Sequence, residues 1–193
     1  MQSKRQRQKE KTRENIMKAA YQVYGKQGFS AATAAIAKEA SLSHGAIFVH
    51  FPTLEGLLCC LIQDFGNTLG LEIHRMTEES HNLHELLKAH LDTLAGHEEF
   101  YTRLITERSS LPEDARLSFA NIQSIFAYHF SRVMEREYGN QTIKKLPVHF
   151  IFNTWMGLIH YYLENKDLFS PDRPLLERYG PQLIDTFMEL IKK

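Results

Sequence analysis

Residues 36–51 read Ile36-Ala37-Lys38-Glu39-Ala40-Ser41-Leu42-Ser43-His44-Gly45-Ala46-Ile47-Phe48-Val49-His50-Phe51. The pattern predicts two short helices, from Ala34 to Ala40 and from Ser43 to Val49, with Ser41-Leu42 as a tight connection. Ser43 suits the position before the second helix, where a hydroxyl accepts from a backbone N–H. Ile36, Ala37, Leu42 and Ile47 are apolar where the two helices need to be held together. Gly45 and Ala46 keep the opening turn of the second helix small, so that a partner can come close to its backbone. Two helices joined in this way meet the requirement of a helix-turn-helix, whose second helix enters the DNA major groove by its N-terminal end. The alternative is an ordinary helical hairpin in a core, which a Ser-His-Gly start fits poorly.

Upstream, Ile16, Ala19, Ala20, Val23 and Tyr24 follow one helical face, and Gly28 ends it. Before that face comes a basic arm: Lys4, Arg5, Arg7, Lys9, Lys11 and Arg13. Residues 1–50 hold nine Lys and Arg against three Glu, a balance of +6 in a chain whose formal net charge is zero. That asymmetry fits an anionic partner for this end alone, or else a solvated basic tail.

Downstream, Pro52 punctuates and Thr53 caps a long helix striped by Leu54, Leu57, Leu58, Leu61, Ile62, Phe65 and Leu69. Leu83 to Leu94 and Phe100 to Ile105 mark two more amphipathic helices. Ser110-Leu111-Pro112-Glu113 reads as a capping box opening a helix that Gly139 stops. Val148 to Tyr162 stripes another helix, and Leu183 to Ile191 the last, which Gly180-Pro181 should kink or split. No alternating strand pattern competes, so the fold class is all-α, with about nine helices. Cys59 and Cys60 are neighbours that would form a strained disulfide, which points to reducing cytosol. The polar N-terminus has no secretory signal, and no apolar run approaches the roughly 20 residues of a membrane span.

Over residues 12–58 the sequence resembles TetR-type transcriptional regulators, whose signature runs I-A-x-x-A-G-V-S-x-G-x-x-Y-x-H-F. Ile36, Ala37, Ala40, Ser43, Gly45, His50 and Phe51 match it, and Leu42 and Phe48 nearly do. Four departures stand out. Ser41 replaces the glycine of the turn, Phe48 the tyrosine, and Leu54 a lysine that binds phosphate; the loop after Gly28 is one residue short. The arm would compensate electrostatically for the phosphate contacts so lost.

The resemblance implies a three-helix DNA-binding domain over 1–53 and an effector-binding and dimerisation domain over 54–193. It gives Ser43 and His50 to phosphates, and His44, Gly45 and Ala46 to base edges. Phe48 goes to a sugar or a thymine methyl. Thr33 either caps the first short helix and touches a phosphate or sits one position inside it. The implied assembly is a homodimer on a palindromic operator in double-stranded DNA. The implied regulation is repression relieved by a small-molecule effector.

Polar residues interrupt the apolar stripes of the larger domain: His90, Arg108, His129, His149, Asn153 and His160. Converging on Phe100, Tyr101, Phe119, Phe126 and Trp155, they would line a pocket for an apolar or aromatic effector, with Arg108 for an acidic group. Taken singly, each is as readily a satisfied core or interface residue. No phosphate loop, nucleophile elbow or zincin motif points to an enzyme. No cofactor or resident metal is expected, although His81-x-x-His84 and the ten histidines leave a metal-responsive regulator as a rival. The other rival is a helical interaction module without DNA binding.

Overall fold

The computed structural model describes residues 3–78 and 82–193, with only the backbone of 76–78. Among these residues there is no strand. Ten α-helices run in the order α1 (Lys4–Gln27), α2 (Thr33–Glu39), α3 (His44–His50), α4 (Leu54–Glu78), α5 (Leu83–Ala95), α6 (Glu98–Thr106), α7 (Glu113–Asn140), α8 (Val148–Glu164), α9 (Lys166–Phe169) and α10 (Leu175–Ile191). The all-α expectation holds, and the four-residue α9 was not foreseen.

The chain forms two compact units, residues 1–65 with 99–118, and residues 66–98 with 119–193. The first buries Ile16, Ala20, Val23, Tyr24, Ile36, Ile47, Leu57 and Leu61. Tyr21 stacks on Phe100 with ring centroids 4.6 Å apart, and Phe29 and Phe65 meet the same ring edge-on. In the second unit α10 packs on α5 and α8.

Several helix ends differ from expectation. Ser110 builds no capping box: its hydroxyl donates to the carbonyl of Glu107, within a 3-10 turn (Arg108–Ser110). Leu111, which precedes proline, is pushed into the extended region, so α7 begins only after Pro112. Gly139 does not stop α7. The helix runs on to Asn140, and Gln141 takes the left-handed position at φ 57°. Gly180-Pro181 does not split the last helix, which is continuous from Leu175 to Ile191 with Pro181 inside it. Gly180 is buried there, and a Cβ on it would meet Leu91 of α5 at 3.4 Å.

Two helix starts are capped from far along the chain, where orphan N–H groups need acceptors. Glu98 accepts from the N–H groups of Leu175 and Leu176, both at 2.8 Å, and pairs with Lys166 at 2.8 Å. Glu137 accepts from the N–H of Leu83 at 3.0 Å, beside the local cap in which Asn82 accepts from Glu85. Among the described residues no single helix is long and apolar enough to cross a membrane.

Candidate nucleic-acid interface

The turn between α2 and α3 is built by backbone hydrogen bonds. Leu42 N–H donates to Ala37 at 2.9 Å and Ser41 N–H to Lys38 at 3.1 Å, which closes α2 in a Schellman motif. That motif needs a left-handed residue, and Ser41 supplies it at φ 56°. The serine thus takes the backbone conformation that glycine would take more easily. Asn15 of α1 adds a side-chain bond: its Nδ2 donates to the carbonyl of Ala40 at 2.8 Å. The Arg13 guanidinium lies 4.8 Å from the centre of the Phe51 ring, just past α3.

α3 turns its opening residues outward. Ser43, His44 and Gly45 are exposed and Ala46 is half-buried. Ile47 is fully buried and anchors the helix. Ser43 occupies the cap position by its backbone, yet its hydroxyl makes no capping bond, contrary to expectation. Phe48 is 38% exposed, and its ring lies 5.3 Å from that of His44. His50 is half-buried, and its Nδ1 is buried without a hydrogen-bond partner. Thr33 is the first residue of α2 and is buried; Ala32 holds the cap position. Of its two alternatives, Thr33 therefore takes the place one position inside the helix.

One exposed residue of α3 escaped the sequence reading. Val49 is 73% exposed, one turn beyond Gly45 on the side of the helix away from Ile47. The spacing from Gly45 was the available signal.

The basic arm is helical. α1 starts at Lys4, with Ser3 as its cap accepting from Gln6 N–H at 3.2 Å, and its first buried residue is Ile16. At the other end, α6 holds the exit from α1. Arg103 donates to the carbonyls of Gly25 and Lys26 at 3.2 and 3.1 Å, where α1 has no helical donors left. Glu107 accepts from Phe29 N–H at 2.8 Å. Gly28 adopts φ 84°, a backbone conformation that glycine takes without strain, and a Cβ on it would displace the Glu107 carboxylate, whose oxygen lies 2.5 Å away. Neither the Arg103 nor the Glu107 contact is visible in sequence.

Of the residues expected to line an effector pocket, His90, Phe126 and Trp155 meet in the second unit. The His90 and Phe126 rings stack at 3.7 Å and 9°, and Trp155 Nε1 donates to His90 Nδ1 at 3.2 Å. All three are buried. Burial, and secondarily the neighbouring His160, push the His90 imidazole down to about 3. His129 is half-buried in the same unit with its ring 5.3 Å from His74, while His149 and Asn153 are exposed. Tyr101 is buried in the first unit with Phe100, whose ring is taken up by the aromatic cluster there. Arg108 is exposed on the 3-10 turn of that unit. Among the described residues no group of three or more His, Cys, Asp or Glu is placed to hold a metal, and His81 lies outside them.

Residues 16–59 match the sequence model for bacterial regulatory proteins of the tetR family. A Bacillus subtilis protein described as an uncharacterized HTH-type transcriptional regulator, YerO, is 28% identical over 135 residues, which cover 65% of this chain and 43% of that protein. The chain thus spans less than half the length of this relative. A TetR-family regulator from Agrobacterium tumefaciens has a similar fold, with a TM-score of 0.77 at 17% identity over 96% of this chain and all of the other. The Bacillus subtilis regulator FadR, solved in complex with stearoyl-CoA, gives a TM-score of 0.72 at 17% identity over 91% and 97%.

Proposed function

We propose that this chain, whose residues 16–59 match the sequence model for bacterial regulatory proteins of the tetR family, binds a specific DNA sequence as a homodimer and regulates transcription. The observation that carries this reading is the outward opening turn of α3, with Ser43, His44 and Gly45 exposed beside a basic α1. In it, Ser43 and His50 contact phosphates. His44, Gly45, Ala46 and Phe48 face the groove. Phosphate contacts position the helix and base contacts specify the site. The Ser43 hydroxyl makes no capping bond within α3, which suits the phosphate role.

Dimerisation follows from reach. One seven-residue helix covers little DNA, whereas two set about 34 Å apart read both halves of a palindrome. The surface for a second copy lies on α8 and α10. Phe150, Gly157 and Tyr161 share one stripe of α8, with Phe150 and Tyr161 exposed and nothing near a Cβ on Gly157, and Leu190 of α10 is exposed as well.

The domain expected over 54–193 serves as the sensor. An apolar or aromatic effector suits its aromatic interior around His90, Phe126 and Trp155. The fold is one that holds stearoyl-CoA in FadR. α4 contributes residues to both compact units, so its displacement by an effector would change the spacing of the two α3 helices. The effector must bind the two states unequally. Release of DNA on binding, a cytoplasmic location and the absence of enzymatic activity complete the proposal.

Selection of DNA from a random pool by the purified chain, followed by mobility shift, tests the reading. A palindromic consensus bound at two protomers per duplex is expected. Enrichment of no sequence over the starting pool would overturn it and leave a helical interaction module.

A further inference from the structure

The most outward residues of α3 are Gly45 and Val49, set on the side away from the buried Ile47. Neither side chain carries a hydrogen-bond donor or acceptor. This face therefore cannot form the paired hydrogen bonds that read guanine or adenine. The one apolar group that B-form DNA offers in its major groove is the 5-methyl of thymine.

Gly45 supplies a second, independent observation. Its φ is not positive, and a Cβ built on it meets nothing within 4 Å. Neither backbone conformation nor packing inside the protein asks for glycine here. Glycine inside a helix also weakens it relative to alanine. What its missing side chain leaves open is space on the outside, one turn before Val49. Val49 itself is 73% exposed, and β-branching leaves its two methyls with little rotational freedom.

We propose that α3 reads thymine by its 5-methyl group, with Val49 making the contact and Gly45 leaving the gap that lets the helix approach the bases. The inference rests on the DNA-binding reading above and adds a readout chemistry to it. Phe48, on the neighbouring flank, widens the apolar surface; His44 is left as the polar side chain at the edge of this face.

The test uses the selected operator with each thymine replaced singly by deoxyuridine, which removes only the methyl group. At one position per half-site, wild-type affinity should fall about fourfold, the factor that corresponds to one buried methyl. Val49→Ala should lose a similar factor on the thymine operator and nothing further on the deoxyuridine one. Gly45→Ala should keep the helical content of the wild type and lose affinity. The inference is overturned if no deoxyuridine substitution weakens wild-type binding, or if the Val49→Ala loss is undiminished on the substituted DNA. Failure to select any operator is a different result: it removes the DNA-binding reading, and the inference with it.

Discussion

Trp155 donates its indole N–H to Nδ1 of His90 at 3.2 Å. An indole nitrogen only donates, so this bond requires His90 to be neutral with its proton on Nε2. An exposed histidine titrates near 6.5, whereas burial and His160 hold His90 down to about 3. The unfolded chain therefore takes up a proton on falling through about 6.5 that the folded chain refuses until near 3. The stability tied to His90 is complete above about pH 6.5 and is lost progressively below it, by up to about 1.4 kcal/mol per pH unit. Between pH 7.5 and 5.0 this comes to about 2 kcal/mol. Urea unfolding at the two pH values checks it. His90→Asn keeps an acceptor near Trp155 but does not titrate, so its loss over that interval should be smaller by this amount. Equal losses in the two proteins would show that His90 is protonated without penalty.

Asn15 ties α1 to the end of α2, where the Ala40 carbonyl has no helical partner. Asn15→Ala should lower the unfolding free energy by about 1 kcal/mol. Asn15→Asp should be worse, because an ionised carboxylate has no donor to give and faces a carbonyl oxygen. Denaturant titration of the three proteins should rank them Asn, Ala, Asp. Equal stability of all three would mean that the contact contributes nothing.

Ser41 sits at φ 56° in a turn whose bonds demand a left-handed residue. A residue with a Cβ pays about 1–2 kcal/mol for that conformation. Part of this returns as chain entropy when glycine is introduced, so Ser41→Gly should stabilise the protein by about 1 kcal/mol. Ser41→Val should destabilise it, since branching at Cβ crowds the left-handed region further. Thermal melts of the two variants should move in opposite directions, and a shared direction would refute the strain.

What the sequence disclosed was carried by local signals. Gly28 ends α1 because its positive φ favours glycine, and the Ser41-Leu42 turn follows from apolar spacing on either side. The features it concealed depend on residues far apart. Glu98 caps α10 from 77 positions away, and Arg103 and Glu107 grip the α1 exit from a similar distance. Local signals also misled. Ser110 had the spacing of a cap, but Pro112 set the start of α7 and the hydroxyl turned back to Glu107. The basic arm lacks an apolar stripe and so reads as a tail, although its lysines, arginines and glutamines favour helix and Ser3 caps it.

The helical form of that arm gives its charges a direction. Arg5, Lys9 and Arg13 repeat every fourth residue and continue the face on which Ile16 and Ala20 are buried, whereas Lys4 and Lys11 lie on the far side. Arg13 already reaches the Phe51 ring at the end of α3. The stripe therefore runs along the side of α1 that carries α2 and α3, where a bound duplex would present phosphates. Each phosphate contact contributes about 0.9 to the slope of log affinity against log salt concentration. Replacing Arg5 and Lys9 by glutamine should reduce that slope by about 1.8 per protomer. The same change at Lys4 and Lys11 removes equal charge from the far face and should reduce it much less. Equal reductions from the two pairs would mean that the extension acts as diffuse charge rather than as an oriented helix face.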